Sequence, residues 1–205
     1  MQAFARHETA ELTPEEEGRQ AVYLFLSRVL AAPAKRAELA NIAPLAGDEA
    51  PLNQAFLAFR REVEKTDRET MERHYHDLFI GVGRGELLPF ASYYLTGFLH
   101  EKPLAELRAD LEALGFARAP GTREPEDHMA MLCEIMARLV AGTGEGEFDI
   151  YDQDRFFGVH LKPWARKFFA DLESARTAGP YRHVGRIGVV FMGIEEEGFG
   201  MIARA

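Results

Sequence analysis

The chain has 205 residues, of which 47% are hydrophobic and 28% charged. That fits a single compact domain with a sizeable core and excludes disorder throughout. Lys and Arg number 24 against 33 Asp and Glu, a formal charge of −9. This excludes general nucleic-acid binding and docking on anionic lipid, which need positive charge at the contact, and it suits a basic partner. Cys133 is the sole cysteine, so no internal disulfide or cysteine-based zinc site can form. Met1–Leu12 lacks the apolar core of a secretory signal, and Ala21–Leu26 and Ile187–Ile194 are too short to cross a bilayer. The expected location is the cytoplasm, without stable membrane insertion.

In chain order the pattern is helical nearly everywhere. Thr13-Pro14-Glu15-Glu16 has the form of a capping box, and Val22, Phe25, Leu26, Val29 and Leu30 repeat at helical spacing. Leu52–Lys65 predicts a second helix. A third is capped by Asp67, carries Met71, Tyr75, Leu78 and Phe79, and stops at Gly81. After the glycine-rich loop Gly81–Gly85, Ser92 is expected to cap a short aromatic helix, Tyr93–His100. Leu104, Leu107, Leu111 and Leu114, closed by Gly115, form the cleanest amphipathic helix. Glu124-Pro125-Glu126-Asp127-His128 predicts a helix start with three acids in its first turn, ahead of the apolar face Met129–Val140. Gly142-Thr143-Gly144 breaks that helix, and Glu145–Asp154 is acidic. One further helix is predicted from about Asp154 to Ala175. Tyr181–Glu197 is read as helix, because Val189-Val190-Phe191 has no partner strand. The expected fold is an all-α bundle of about eight to ten helices in one domain, 1–205. A hinge is expected near 142–152, between a larger N-terminal and a smaller C-terminal part.

Several segments invite a chemical reading. Gly81–Gly85 fails as a phosphate loop: it follows a helix, and no Lys-Ser/Thr closes it. Its glycines suit a turn. His76-Asp77 with Asp127-His128 suggests a metal-dependent HD-type phosphohydrolase, in which metal held by His and Asp activates a water; but His74 and His76 point to different helix faces. No nucleophile–base arrangement stands out, so no catalytic residue, cofactor or metal ligand is assigned. Capping explains the acids of Glu124–Asp127 as a group but not His128. Asp127 beside the buried stripe could accept from a guanidinium, and His128 could bond a peptide carbonyl.

Four blocks carry a resemblance: Tyr75–Gly81, Leu88–Tyr94, Glu124–His128 and Gln153–Trp164. In order and spacing they resemble the TorD/DmsD family of redox-enzyme maturation chaperones, related to NarJ, over about residues 15–180. The resemblance implies an all-helical TorD-like fold and no enzymatic activity. It implies a cytoplasmic chaperone that binds a twin-arginine leader peptide and the apo form of a molybdenum enzyme until its cofactor is inserted. It places leader binding at Asp127 and His128, with Glu124 of the same block, Pro89, Phe90, Ser92 and Tyr93 beside them, and Tyr75 and Phe79 on the preceding helix. Leu88-Pro89-Phe90 departs from relatives with two prolines and a tryptophan here; Phe90 can stack but cannot donate a hydrogen bond. The Gly142–Gly146 connection fits either a monomer or a domain-swapped dimer.

Overall fold

In the computed structural model, which describes residues 12–35, 50–117, 124–142 and 148–202, helices begin where capping chemistry allows. Thr13 accepts from the Glu16 amide, and Glu16 returns a bond to the Thr13 amide, opening α1 (Pro14–Ala31). Then follow α2 (Pro51–Lys65), α3 (Arg68–Tyr75), α4 (Ala91–Thr96), α5 (Lys102–Ala113), α6 (Met129–Val140), α7 (Ile150–Phe156), α8 (Ala165–Ser174) and α9 (Tyr181–Ile202). Two π-turns, His76–Ile80 and Phe157–Leu161, extend α3 and α7. Among the described residues there are no strands, only an isolated bridge between Phe90 and His128. The all-α expectation holds, and Tyr181–Ile202 is one helix rather than a strand.

Four local expectations are corrected. The third helix does not run unbroken to Gly81: it widens into a π-turn at His76, closed by the Gly81 amide bonding to the His76 carbonyl at 2.7 Å. The aromatic helix starts at Ala91 and ends at Gly97, whose left-handed φ of 84° stops it short of His100. The helix after Glu124–His128 begins at Met129, so its acids precede it rather than filling its first turn. The expected helix from Asp154 to Ala175 is three pieces, because the π-turn and Lys162-Pro163-Trp164 interrupt it. The hinge region falls largely on residues 143–147, outside the described residues, as do Glu145 and Glu147. Asp149 and Asp152 form the capping box of α7.

The core is one cluster. α1 lies along α6, and α9 lies along α8 and against α2. Trp164, Tyr23, Phe59, Phe168 and Phe191 are buried side chains at its centre; each such residue contributes about 1.5–3 kcal/mol. Through this core runs a polar tie. Glu195, 3% exposed, receives Arg19 Nε at 2.8 Å and Nη2 at 2.9 Å, and the Tyr23 hydroxyl at 2.8 Å. Arg19 Nη1 reaches Gln153 Oε1 at 3.0 Å. The network joins α1, α7 and α9.

Removing Glu195 strands the Arg19 charge, so Glu195→Ala should lower stability by about 3–5 kcal/mol in urea unfolding. Arg60→Ala, at the exposed pair with Glu64, should leave the midpoint unchanged. Equal effects at both sites would show that Glu195 is not a core tie.

Candidate functional site

The site is built from the turn that precedes α6. Asp127 is 1% exposed. Its carbonyl accepts from the Ala91 amide at 3.0 Å. Its Oδ2 accepts from the Ser92 amide at 2.8 Å and the Ser92 hydroxyl at 2.6 Å. One residue thus satisfies the first two amides of α4, which has no cap of its own. Ser92 is therefore held by this cap rather than being one. The Met129 amide bonds to the Pro89 carbonyl at 2.8 Å, and the Phe90 ring meets His128 edge-on at 5.0 Å. His128 caps α6, its Nδ1 accepting from the Ala130 amide at 3.1 Å. This requires a neutral imidazole. Burial lowers its pKa to about 4 against the upward pull of Asp127.

The strap 86–90 is held at its other end by the first π-turn. The Glu86 and Leu87 amides bond to the carbonyls of Asp77 and Leu78 at 3.1 and 2.8 Å. Gly81 sits at φ 62°, and a side chain at Gly85 would overlap Leu78 and Phe79. Both glycines are thus required by the turn itself. Arg84 donates to the Tyr93 hydroxyl at 2.7 Å and lies over its ring.

Beneath α4 and α5 lies a cleft of about 30 Å³. Leu95, Leu107 and Val159 wall it, Glu106 and His160 edge it, and Asp127 lies at its floor. The Ser92 amide and hydroxyl both bond to Oδ2 of Asp127. Of the lining residues Leu95 is 43% exposed and Val159 47%; Phe98, three residues beyond Leu95, is 69% exposed. Phe98 is held outward by a bend in which Thr96 Oγ1 bonds to both its amide and its carbonyl, and His100 takes a φ of 61°. Leu95, Glu106, Leu107 and His160 were not found from the sequence as site residues. They come from three separate elements, and no local spacing connects them.

The other expected residues lie apart from the cleft. Tyr75 and Phe79 pack with Tyr181, and the Tyr75 hydroxyl donates to the Leu30 carbonyl at 3.1 Å. Burial, with Glu124 adding, pushes the Tyr75 phenol up to about 12. Glu124 itself is exposed. The HD grouping is not assembled. His76 and Asp77 are exposed and face each other at 3.4 Å, whereas Asp127 and His128 are engaged in capping. Among the described residues no three His, Cys, Asp or Glu side chains converge as a metal site, and no helix is long and apolar enough to cross a membrane.

The family model described as the nitrate reductase delta subunit matches residues 43–170. A protein of Vibrio vulnificus named "Chaperone protein TorD" is 26% identical over 208 residues, covering 91% of this chain and 97% of that protein. One of that name from Aliivibrio fischeri is 27% identical, covering 77% and 83%. One from Vibrio cholerae is 29% identical over 123 residues. That match spans little more than half the relative's length, 56%, and 57% of this chain.

The His128 cap carries a signature in pH. Its folded pKa lies below the ordinary 6.5, so the unfolded chain binds the proton first. This contribution to stability is complete above pH 6.5 and is lost as pH falls toward 4, at up to about 1.4 kcal/mol per pH unit. His160 and His183, also lowered chiefly by burial, tilt the curve the same way. His128→Asn keeps a capping side chain, so urea unfolding should show a shallower slope over this window. An unchanged slope would remove His128 from the linkage.

Proposed function

Because the chain belongs to the nitrate reductase delta subunit family, with TorD chaperones among its relatives, we propose that it is a cytoplasmic redox-enzyme maturation chaperone. Its client is the apo form of a molybdopterin-dependent oxidoreductase. It binds the client's twin-arginine leader peptide, assists cofactor insertion and delays export until maturation. The relatives' names favour a chaperone over an enzyme. So does the separation of His76 and Asp77 from Asp127 and His128.

One observation carries the leader-binding part: Asp127, nearly wholly buried, both caps α4 and lines a cleft. Leu95, Leu107, Leu132 and Val159 supply the apolar part of that lining. A twin-arginine leader presents two guanidinium groups followed by an apolar stretch, and a receptor for it needs carboxylates beside an apolar surface. Leu95, Phe98, Leu99 and Val159 offer the apolar surface. A cleft of about 30 Å³ admits one water-sized group, so Asp127 meets one N–H of the leader there and not a whole guanidinium. Pro89, Phe90, Ser92 and His128 serve this site by holding the strap and α4 in place. Tyr75 and Phe79 serve it from further off, by anchoring the π-turn.

Calorimetric titration of the folded protein with synthetic twin-arginine leaders tests the reading. Saturable binding that weakens as salt rises is expected, since screening reduces charge pairing. Absence of binding to any such leader, and to the apo-enzyme that carries one, would contradict it.

A further inference from the structure

We propose that the groove between α5 and α6 is a second docking surface, and that its occupant is a basic amphipathic helix of a partner polypeptide. The groove shares no lining residue with the cleft at Asp127, so the inference goes beyond leader binding and does not rest on it.

α5 packs chiefly on α4. Its Asp110 carboxylate, 24% exposed, accepts from His160 Nε2 and from Arg155 Nη2, each at 2.8 Å. These bonds tie α5 to the second π-turn and to α7. Between α5 and α6 lies a groove of about 350 Å³, within the size range of ligand-binding clefts. Leu111 and Ile135 line it as buried residues, and Phe116 and Met131 as half-buried ones. Phe116 is braced by Phe148, whose ring stacks on it at 5.6 Å and 14°. Met131 and Ile135 stand four residues apart, so they form one ridge of α6. A groove with such a ridge, banked by a second helix, receives the apolar side chains that a third helix presents at i and i+4.

The rim selects the sign of the occupant. Arg108 Nε and Nη2 meet Glu126 Oε2 at 3.1 and 2.9 Å, with Glu126 10% exposed and Arg108 52%. Arg138 Nη2 meets Glu134 Oε1 at 2.6 Å. Both lining arginines are thus matched to an acid of the same rim. Glu112, exposed on the α5 bank, belongs to neither pair. The described lining therefore carries three acids against two bases, and it complements a basic newcomer. A lysine or arginine beside the apolar residues of the docking helix answers Glu112. Both rim pairs stay in place, so docking strands no buried carboxylate. A second copy of this chain suits the groove less well, because each copy brings a charge of −9 and like charges repel.

The test is methyl NMR of the whole protein with isotope-labelled methionines. The probe is a synthetic helical peptide with leucines at i and i+4 and lysines beside them; its twin carries glutamates for the lysines. The lysine peptide should shift the Met131 methyl saturably and leave Met71, on α3, unmoved. The glutamate twin should bind more weakly. Glu112→Lys reverses one exposed charge, so it should weaken the lysine peptide about threefold to tenfold and tighten the twin, at an unchanged melting temperature. A saturating twin-arginine leader should leave the lysine peptide bound. No binding of the lysine peptide, or binding that leaves Met131 unmoved, would overturn the docking surface. Equal affinity for the twins, or indifference to Glu112→Lys, would overturn the basic occupant. A Met131 shift that follows protein concentration alone would make the groove a contact between copies. Displacement by the leader would assign the groove to the leader, overturning a separate surface while leaving leader binding intact.

Discussion

Asp127 caps α4 with its carbonyl and its carboxylate together, and the adjoining backbone pairs Pro89 with Met129. That clamp joins two segments nearly forty residues apart. Without it α4 would begin with two buried amides unsatisfied, at about 1–3 kcal/mol each. The strap would lose its hold on the turn that starts α6. The start of α4 is thereby fixed against the turn that opens α6. A capping carboxylate commonly uses one oxygen. What gives this one a second role is that Asp127 also lines a cleft with Leu95, Leu107 and Val159.

The chain carries two kinds of charge pair, and burial separates them. Arg19–Glu195 is closed on both sides and stitches three helices. Arg108–Glu126 and Arg155–Asp110 are closed only on the acid side. The net charge of −9 is therefore a poor guide to the site: several of the acids cap helices, as Asp67 and Asp149 do, or form exposed i,i+4 pairs such as Lys167–Asp171.

Much of the fold was legible because it is local. Thr13 and Glu16 form a capping box within four residues, and Leu104, Leu107 and Leu111 mark α5 by periodicity alone. The failures share a different cause. Glu124–Asp127 looks like the first turn of a helix, yet Asp127 caps a helix that lies earlier in the chain. Its partner Ser92 is 35 residues away. Tyr75–Gly81 and Gln153–Trp164 contain the two π-turns. A π-turn adds a residue to the turn and shifts every later side chain around the axis, so a 3.6-residue pattern cannot place His76 or His160. The resemblance named the segment that holds His160, whereas its partner Asp110, fifty residues away, lay in none of the four blocks.

Hydrogen–deuterium exchange of the whole protein, with and without a saturating twin-arginine leader, addresses the central claim directly. If the face around Asp127 receives the leader, exchange should slow over Ala91–Ala113, at Asp127–Met129 and over Phe157–Leu161. Slowing confined to α1, α2 and α9, with these segments unchanged, would contradict the account.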